Sequence, residues 1–308
     1  MNGKVGMANQ SSSSLTEHAC TFGTNSTLVG VYTPPQARDE SAPCAIYITA
    51  GLLHHVGPTR LHVELARSLS QHNVGGFRFD LSGVGDSETS SLGGYFVDRS
   101  VSEIRQSMDF LQKQHGHRHF VLLGLCSGAD DALATAQLDP RVSGVVLLNG
   151  YAYKAGFFYI NRLVKYYWPR LFKWEKIRGR ISRVLKKSSS AVNNKVSSAG
   201  MSDTSDKQAL AALDDDYRFI PDQEHMADTL QRLTEKKTNL LFVYTGSEHD
   251  DYTYQGQFYA MFPSLRGSPH VTERYLKQAD HTLVLRDDRI MITDWVIDWF
   301  DKSQFEIS

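Results

Sequence analysis

The sequence predicts an α/β fold: a mainly parallel sheet with helices on both faces and one inserted helical segment. Three observations predict it. Short runs such as "CAIYITAG", "HFVLLG" and "NLLFVYTG" are continuously apolar, the mark of strands buried on both faces. Between such runs, apolar residues recur at helical spacing, as in Leu61, Leu65 and Leu69 or Val101, Ile104, Met108 and Leu111. The two patterns alternate along the chain, which is the signature of strand–helix–strand units.

Taken in order, residues 1–15 are polar and Ser-rich and read as a disordered leader, with no apolar stretch of the kind a secretory signal needs. "EHACTFG" and "TLVGVYTP" read as two short strands, a candidate hairpin ended by Pro34-Pro35. Strand "CAIYITAG", helix "PTRLHVELARSLSQH" and strand "VGGFRFD" follow. Helix "SVSEIRQSMDFLQKQ", strand "HFVLLG", helix "GADDALATAQL" and strand "VSGVVLLNG" continue the series. After an interruption come helix "QEHMADTLQRLTEK", strands "NLLFVYTG" and "VTERYLKQ", and a closing helix "DDRIMITDWVIDWF". The expected core is therefore 16–150 together with 221–308. The interruption, 151–220, opens with a basic, aromatic helical pattern kinked at Pro169 and continues into a Ser-rich loop. An insertion between two strands of a regular sheet reads as a lid.

Composition bounds the function. The 308 residues suit one large α/β domain with an insertion, and a formal net charge of −1 gives no pull toward nucleic acid. The three cysteines, Cys20, Cys44 and Cys126, are too few and too odd in number for a disulfide framework. They suit a reducing compartment, so a cytoplasmic location is expected. No run approaches the roughly 18 apolar residues of a transmembrane segment.

The stretch 119–131, "HFVLLGLCSGADD", concentrates the chemistry. Its spacing is that of a G-x-S-x-G elbow between a strand and a helix, with Cys126 at the centre and Ser127 one place later. On such a turn the central residue is held strained, with its side chain exposed at the carboxyl end of the sheet, where ligands bind. The turn also sets Cys126 at the positive end of a helix, which favours the reactive thiolate. The plainer alternative is a structural cysteine on a Gly-rich turn.

With these segments the chain resembles the α/β-hydrolase superfamily, from about residue 27 to 300. "IYITAGLLHH" lies where the family carries a strand and its oxyanion loop. "FRFDLSGVGDSE" matches the D-x-x-G-x-G-x-S segment through Asp80, Gly83, Gly85 and Ser87. "QADHTLVLRDD" matches the segment that delivers the catalytic histidine, His281. The resemblance implies a Cys126 nucleophile, His281 as base, and an acid from "VYTGSEHDDYTY" that orients the histidine. The family's spacing lands on His249, so the acid stays open between Asp250, the first choice, Glu248 and Asp251. It also implies an oxyanion hole from the backbone N–H groups of Leu52 and Ser127. Ala50 replaces the family's frequent histidine there, a change that a backbone donor tolerates. On this reading Ser127 acts through its amide alone and its hydroxyl is incidental.

A cysteine at this position resembles that of dienelactone hydrolases and polyhydroxyalkanoate synthases. It implies a thioester intermediate, which exchanges readily with other thioesters. The expected activity is acyl transfer or thioester hydrolysis, without a cofactor or metal. The expected substrate is a small acyl molecule, free or carried on coenzyme A or a carrier protein. A carboxylesterase, or a binding protein that keeps the fold without catalysis, is the rival reading. Between Lys154 and Lys187 stand eleven Lys or Arg residues, one acid, Glu175, and interleaved aromatics that include Phe157 and Tyr159. This basic, aromatic cover suits an anionic partner, with Phe157, Tyr159 and His54 as candidate substrate contacts. Alternatively the aromatics pack the lid down and the charges solvate it.

The remaining motifs point to no metal or phosphate site. His115, His117 and His119 alternate before the elbow strand, at the opposite end of the sheet from the expected mouth. "SGVGDS" lacks the Lys-Ser/Thr of a phosphate-binding loop, and no CxxC or HExxH spacing occurs.

Overall fold

The computed structural model describes residues 16–37, 42–89, 96–162, 221–246 and 251–305. Among them lie strands β1 (His18–Phe22), β2 (Leu28–Thr33), β3 (Cys44–Ile48), β4 (Gly76–Phe79), β5 (Phe120–Leu125), β6 (Val142–Leu148), β7 (Asn239–Thr245) and β8 (Val271–Leu276). They form one sheet in the order β1-β2-β4-β3-β5-β6-β7-β8. The first two strands are the expected hairpin, with His18 opposite Tyr32, and β2 runs antiparallel to β4. Every later pairing is parallel.

The helices are α1 (Leu61–Gln71), α2 (Phe96–His115), α3 (Ser127–Leu138), α4 (Gln223–Glu235), the short α5 (Gln257–Met261) and α6 (Arg286–Lys302). Strand residues divide between two core layers with the period of two that a pleated strand imposes. Ala45, Tyr47, Val121 and Leu123 pack with Leu65 and Leu69 of α1 and Val296 and Trp299 of α6. Cys44, Ile46, Phe120 and Leu122 pack on the other face with Met108 of α2, Leu133 of α3 and Leu230 of α4. With helices on both faces the central strands β3 and β5 are buried on both sides, hence their unbroken apolar runs. Truncating one of these buried Leu or Ile side chains to Ala costs about 2–5 kcal/mol. An ion pair from Arg289 Nε to Glu64 Oε2, 2.9 Å, joins α6 to α1. No helix among the described residues is long and apolar enough to cross a membrane.

Parallel pairing brings the carboxyl ends of β4, β3, β5, β6, β7 and β8 to one edge, with Tyr47 beside Arg78, Ile48 beside Gly124, Leu125 beside Leu148, and Thr245 beside Leu276. β3 and β5 are neighbours although β4 separates them in sequence, so the strand order reverses there. The loops that follow β3 and β5 diverge at such a point, and the crevice between them is where open α/β sheets bind ligands. The predicted leader and the 163–220 part of the predicted lid lie outside the described residues.

Candidate active site

One residue makes the turn from β5 to α3. Cys126 has φ 54° and ψ −121°, a conformation that costs a non-glycine residue on the order of 1–3 kcal/mol. Its surroundings enforce it: the Cys126 N–H donates to the Leu148 carbonyl at 2.8 Å, and the Ala129 N–H donates to the Cys126 carbonyl at 3.0 Å. The flanking glycines are required by close approach. A Cβ on Gly124 would overlap the Gly128 backbone, and one on Gly128 would lie 2.7 Å from the carbonyl oxygens of Ile48 and Thr49. Cys126 is half-buried and stands at the N-terminus of α3, whose first N–H groups have no partner within the helix.

The loop after β3 meets this elbow. Leu53 N–H closes a turn on the Ala50 carbonyl at 3.0 Å. Gly51 N–H donates to Ser127 Oγ, also at 3.0 Å. The Ser127 hydroxyl, incidental on the sequence reading, therefore ties the loop to the elbow. The Leu52 N–H has no acceptor among the described residues, and the Leu52 side chain is 83% exposed. At the loop's far end the His55 N–H donates to Asp80 Oδ1, and His55 Nδ1 lies 2.8 Å from Asp80 Oδ2. Asp86 N–H donates to Asp80 Oδ2 at 3.0 Å. Burial raises the fully buried Asp80 carboxyl, but the bonds from His55 and Asp86 outweigh it and hold it below its ordinary range. Ser87 completes the motif by donating to the Asp80 carbonyl at 2.7 Å and accepting the Val29 N–H at 2.9 Å. The D-x-x-G-x-G-x-S segment thus folds around a buried carboxylate that anchors the neighbouring loop. His55, Asp80 and Asp86 are also the group with metal-ligand spacing among the described residues, their atoms engaged with one another as above.

His281 follows β8. Asp280 folds its loop, accepting from Thr282 Oγ1 at 2.7 Å, Thr282 N–H at 2.9 Å and Val284 N–H at 3.0 Å. The Thr282 hydroxyl and these N–H groups keep the Asp280 carboxyl low. Leu283 is fully buried and its carbonyl accepts from Thr59 Oγ1 at 3.0 Å, which pins the loop to the segment ahead of α1. The His281 ring presents Nδ1 to Asn149 Nδ2 at 3.4 Å. Asn149 is buried and follows β6 directly, one residue after the carbonyl that receives the Cys126 N–H. Its Oδ1 accepts the Thr245 N–H at 2.8 Å, and because a backbone N–H only donates, this fixes which way the amide points. Nδ2 then donates to Thr245 Oγ1 at 3.1 Å and faces the ring. Asn149 carries one local signal in the sequence, a polar residue ending the apolar run "VSGVVLLNG", and is not among the residues that the motifs mark.

Of the three acid candidates, Asp250 and Glu248 lie outside the described residues. The Asp251 carboxylate is exposed and lies 3.9 Å from Lys154 Nζ. Phe157 and Tyr159 are 64% and 67% exposed, whereas Phe158 between them is buried. His54 is exposed, its ring edge-on to His55. At the other end of the sheet, His115 stacks on Tyr32 and His117 Nε2 lies 2.9 Å from the Tyr32 hydroxyl.

Residues 41–284 match the family described as serine aminopeptidase, S33. The fold resembles that of an esterase from Pyrococcus furiosus, with TM-score 0.58 and 12% identity over 94% of this chain and 92% of that one. It also resembles the alpha/beta hydrolase GrgF from Penicillium, with TM-score 0.52 and 14% identity over 94% and 99% of the two chains. A proline iminopeptidase-related protein from Thermus thermophilus gives TM-score 0.52 and 16% identity over 94% and 99%. No curated protein sequence matches the chain. The family match takes in the elbow, the D-x-x-G-x-G-x-S segment and His281 alike, and the chain belongs to the serine aminopeptidase S33 family of α/β-hydrolases, with Cys126 at the apex of its elbow.

Proposed function

We propose that this hydrolase-family member is an acyl-transfer enzyme, an acyltransferase or a thioesterase-type hydrolase, working through an acyl-thioester on Cys126. The observation that carries the reading is the strained Cys126 apex, with the Ser127 amide beside it and the Leu52 amide on the adjoining loop. Cys126 Sγ attacks the acyl carbonyl carbon while His281 takes the thiol proton. The carbonyl π electrons move onto oxygen, where the Leu52 and Ser127 N–H groups stabilise the charge. As the carbonyl re-forms, the bond to the leaving group breaks and His281 returns the proton to it. Water or an acceptor, deprotonated by His281, then attacks the thioester, and Cys126 leaves as thiol. Asp250 is the proposed acid that orients His281, and His54, Phe157 and Tyr159 are the proposed substrate contacts.

Thioester exchange is nearly isoenergetic, so the substrate is a small acyl molecule, free or carried on coenzyme A or a carrier protein. A reducing cytoplasm suits a thiol kept in its reduced form. A second reading, a carboxylesterase of small esters, draws support from the esterase among the fold relatives. A panel of acyl thioesters set against p-nitrophenyl esters separates the two. Acyl transfer predicts higher kcat/KM on the thioesters and loss of turnover in both Cys126→Ala and His281→Ala. Selective turnover of the simple esters would favour the second reading.

A further inference from the structure

We propose that the Ser127 hydroxyl is a positioning group for the oxyanion hole: by accepting the Gly51 N–H it sets the next peptide, whose Leu52 N–H completes the hole with the Ser127 amide. The proposal rests on Cys126 being the acyl nucleophile.

Gly51 and Leu52 are the central residues of the turn closed by Leu53 N–H and the Ala50 carbonyl. In such a turn the central N–H groups point outward. One of them is taken by Ser127 Oγ at 3.0 Å, and the other, on Leu52, has no acceptor among the described residues. Packing does little to hold the turn. Gly51 has φ +52° and a Cβ there would meet nothing within 4 Å, while Leu52 and Leu53 are 83% and 41% exposed. Among the described residues its ties are therefore the Gly51–Ser127 bond at one end and the His55–Asp80 pair at the other. The first is one residue from the proposed donor and starts from the residue that supplies the second donor. A displacement of about 1 Å in such a donor is enough to cost rate.

Ser127→Ala keeps the amide and removes the acceptor; Ser127→Thr keeps both. Three rates or affinities are read on each protein: turnover of an acyl thioester, binding of an aldehyde that forms a tetrahedral hemithioacetal, and alkylation of Cys126 by iodoacetamide, which develops no oxyanion. The expected result for Ser127→Ala is kcat lower by about tenfold or more, KM within about twofold, and aldehyde affinity reduced in parallel. Alkylation is unchanged, and Ser127→Thr recovers the parent values. The proposal is overturned if kcat and aldehyde affinity stay within about twofold of the parent. It is equally overturned if alkylation falls along with them, since the hydroxyl would then act on the thiol. Amide hydrogen exchange on the unmodified protein gives a reading that needs no variant: Gly51 N–H protected, Leu52 N–H not, with an unprotected Gly51 contradicting the proposal. Full activity in Cys126→Ala would instead remove the nucleophile assignment, an outcome distinct from all of these.

Discussion

Asn149 Nδ2 lies 3.4 Å from His281 Nδ1, and the preceding residue, Leu148, receives the Cys126 N–H at 2.8 Å. The end of β6 thus joins the elbow to the histidine loop. An amide donor facing Nδ1 favours the tautomer with the proton on Nε2, which cannot act as base, so Asn149→Ala should leave kcat/KM within about threefold of the parent or raise it. Asn149→Asp sets a carboxylate against Nδ1 and favours the imidazolium, so the acidic limb of the pH–rate profile should move up by about one unit or more. Identical pH profiles for parent and Asn149→Asp would show that the contact has no bearing on the base.

Asp80 makes stability depend on acid. Its carboxyl is held below its ordinary range in the fold, so its contribution is complete above about pH 4 and is lost as pH falls through the folded value. Asp80→Asn leaves the His55 and Asp86 donors facing a neutral amide and should cost about 3 kcal/mol at pH 7. Urea unfolding of both proteins should show that gap narrowing below pH 4; a gap independent of pH counts against the charge as its source.

Asp131 behaves in the opposite sense. Burial pushes its carboxyl up to about 7, opposed by the Ser100 hydroxyl and reinforced by Asp130. The folded protein then binds more protons than the unfolded chain between about pH 4 and 7, so stability should fall across that interval and level off above it. Asp131→Asn should flatten the slope and be the more stable protein above pH 7, by roughly 2–4 kcal/mol. Thermal melts across the interval check this, and parallel curves would contradict it.

Gly124 and Gly150 lie on either side of the site but answer to different constraints. A Cβ on Gly124 collides with backbone at Gly128, whereas one on Gly150 makes ordinary contact with Ala129 Cβ at 3.4 Å. Gly124→Ala should cost about 3 kcal/mol or more, or prevent folding, while Gly150→Ala stays within about 1 kcal/mol. Chemical denaturation of the pair decides it.

The elements of the fold were legible because strands buried on both faces are continuously apolar and helices covering them repeat Leu and Ile at helical spacing. "CAIYITAG" and "HFVLLG" could be read as buried strands from their own residues. Five residues of α5 are too few to show a period. The elbow was legible too, because its glycines are required by a contact between residues only four apart. The Ser127 hydroxyl and Asn149 were not. Ser127 finds Gly51 because β3 and β5 are neighbours across a reversal of strand order, and Asn149 finds His281 through β7 and the loop after β8. Such partners are set by which strands adjoin, and the residues themselves carry no local trace of it. Asp80 lies between: its motif was visible, but its task of anchoring His55 was not.

The most direct test of the account is the intact mass of the protein after incubation with an acyl thioester. A Cys126 nucleophile gives a single acyl adduct, released by water or an acceptor, with no adduct on Cys126→Ala and turnover there lower by about 10³-fold or more. Full turnover by Cys126→Ala, or an unchanged adduct on it, would show that Cys126 is not the nucleophile.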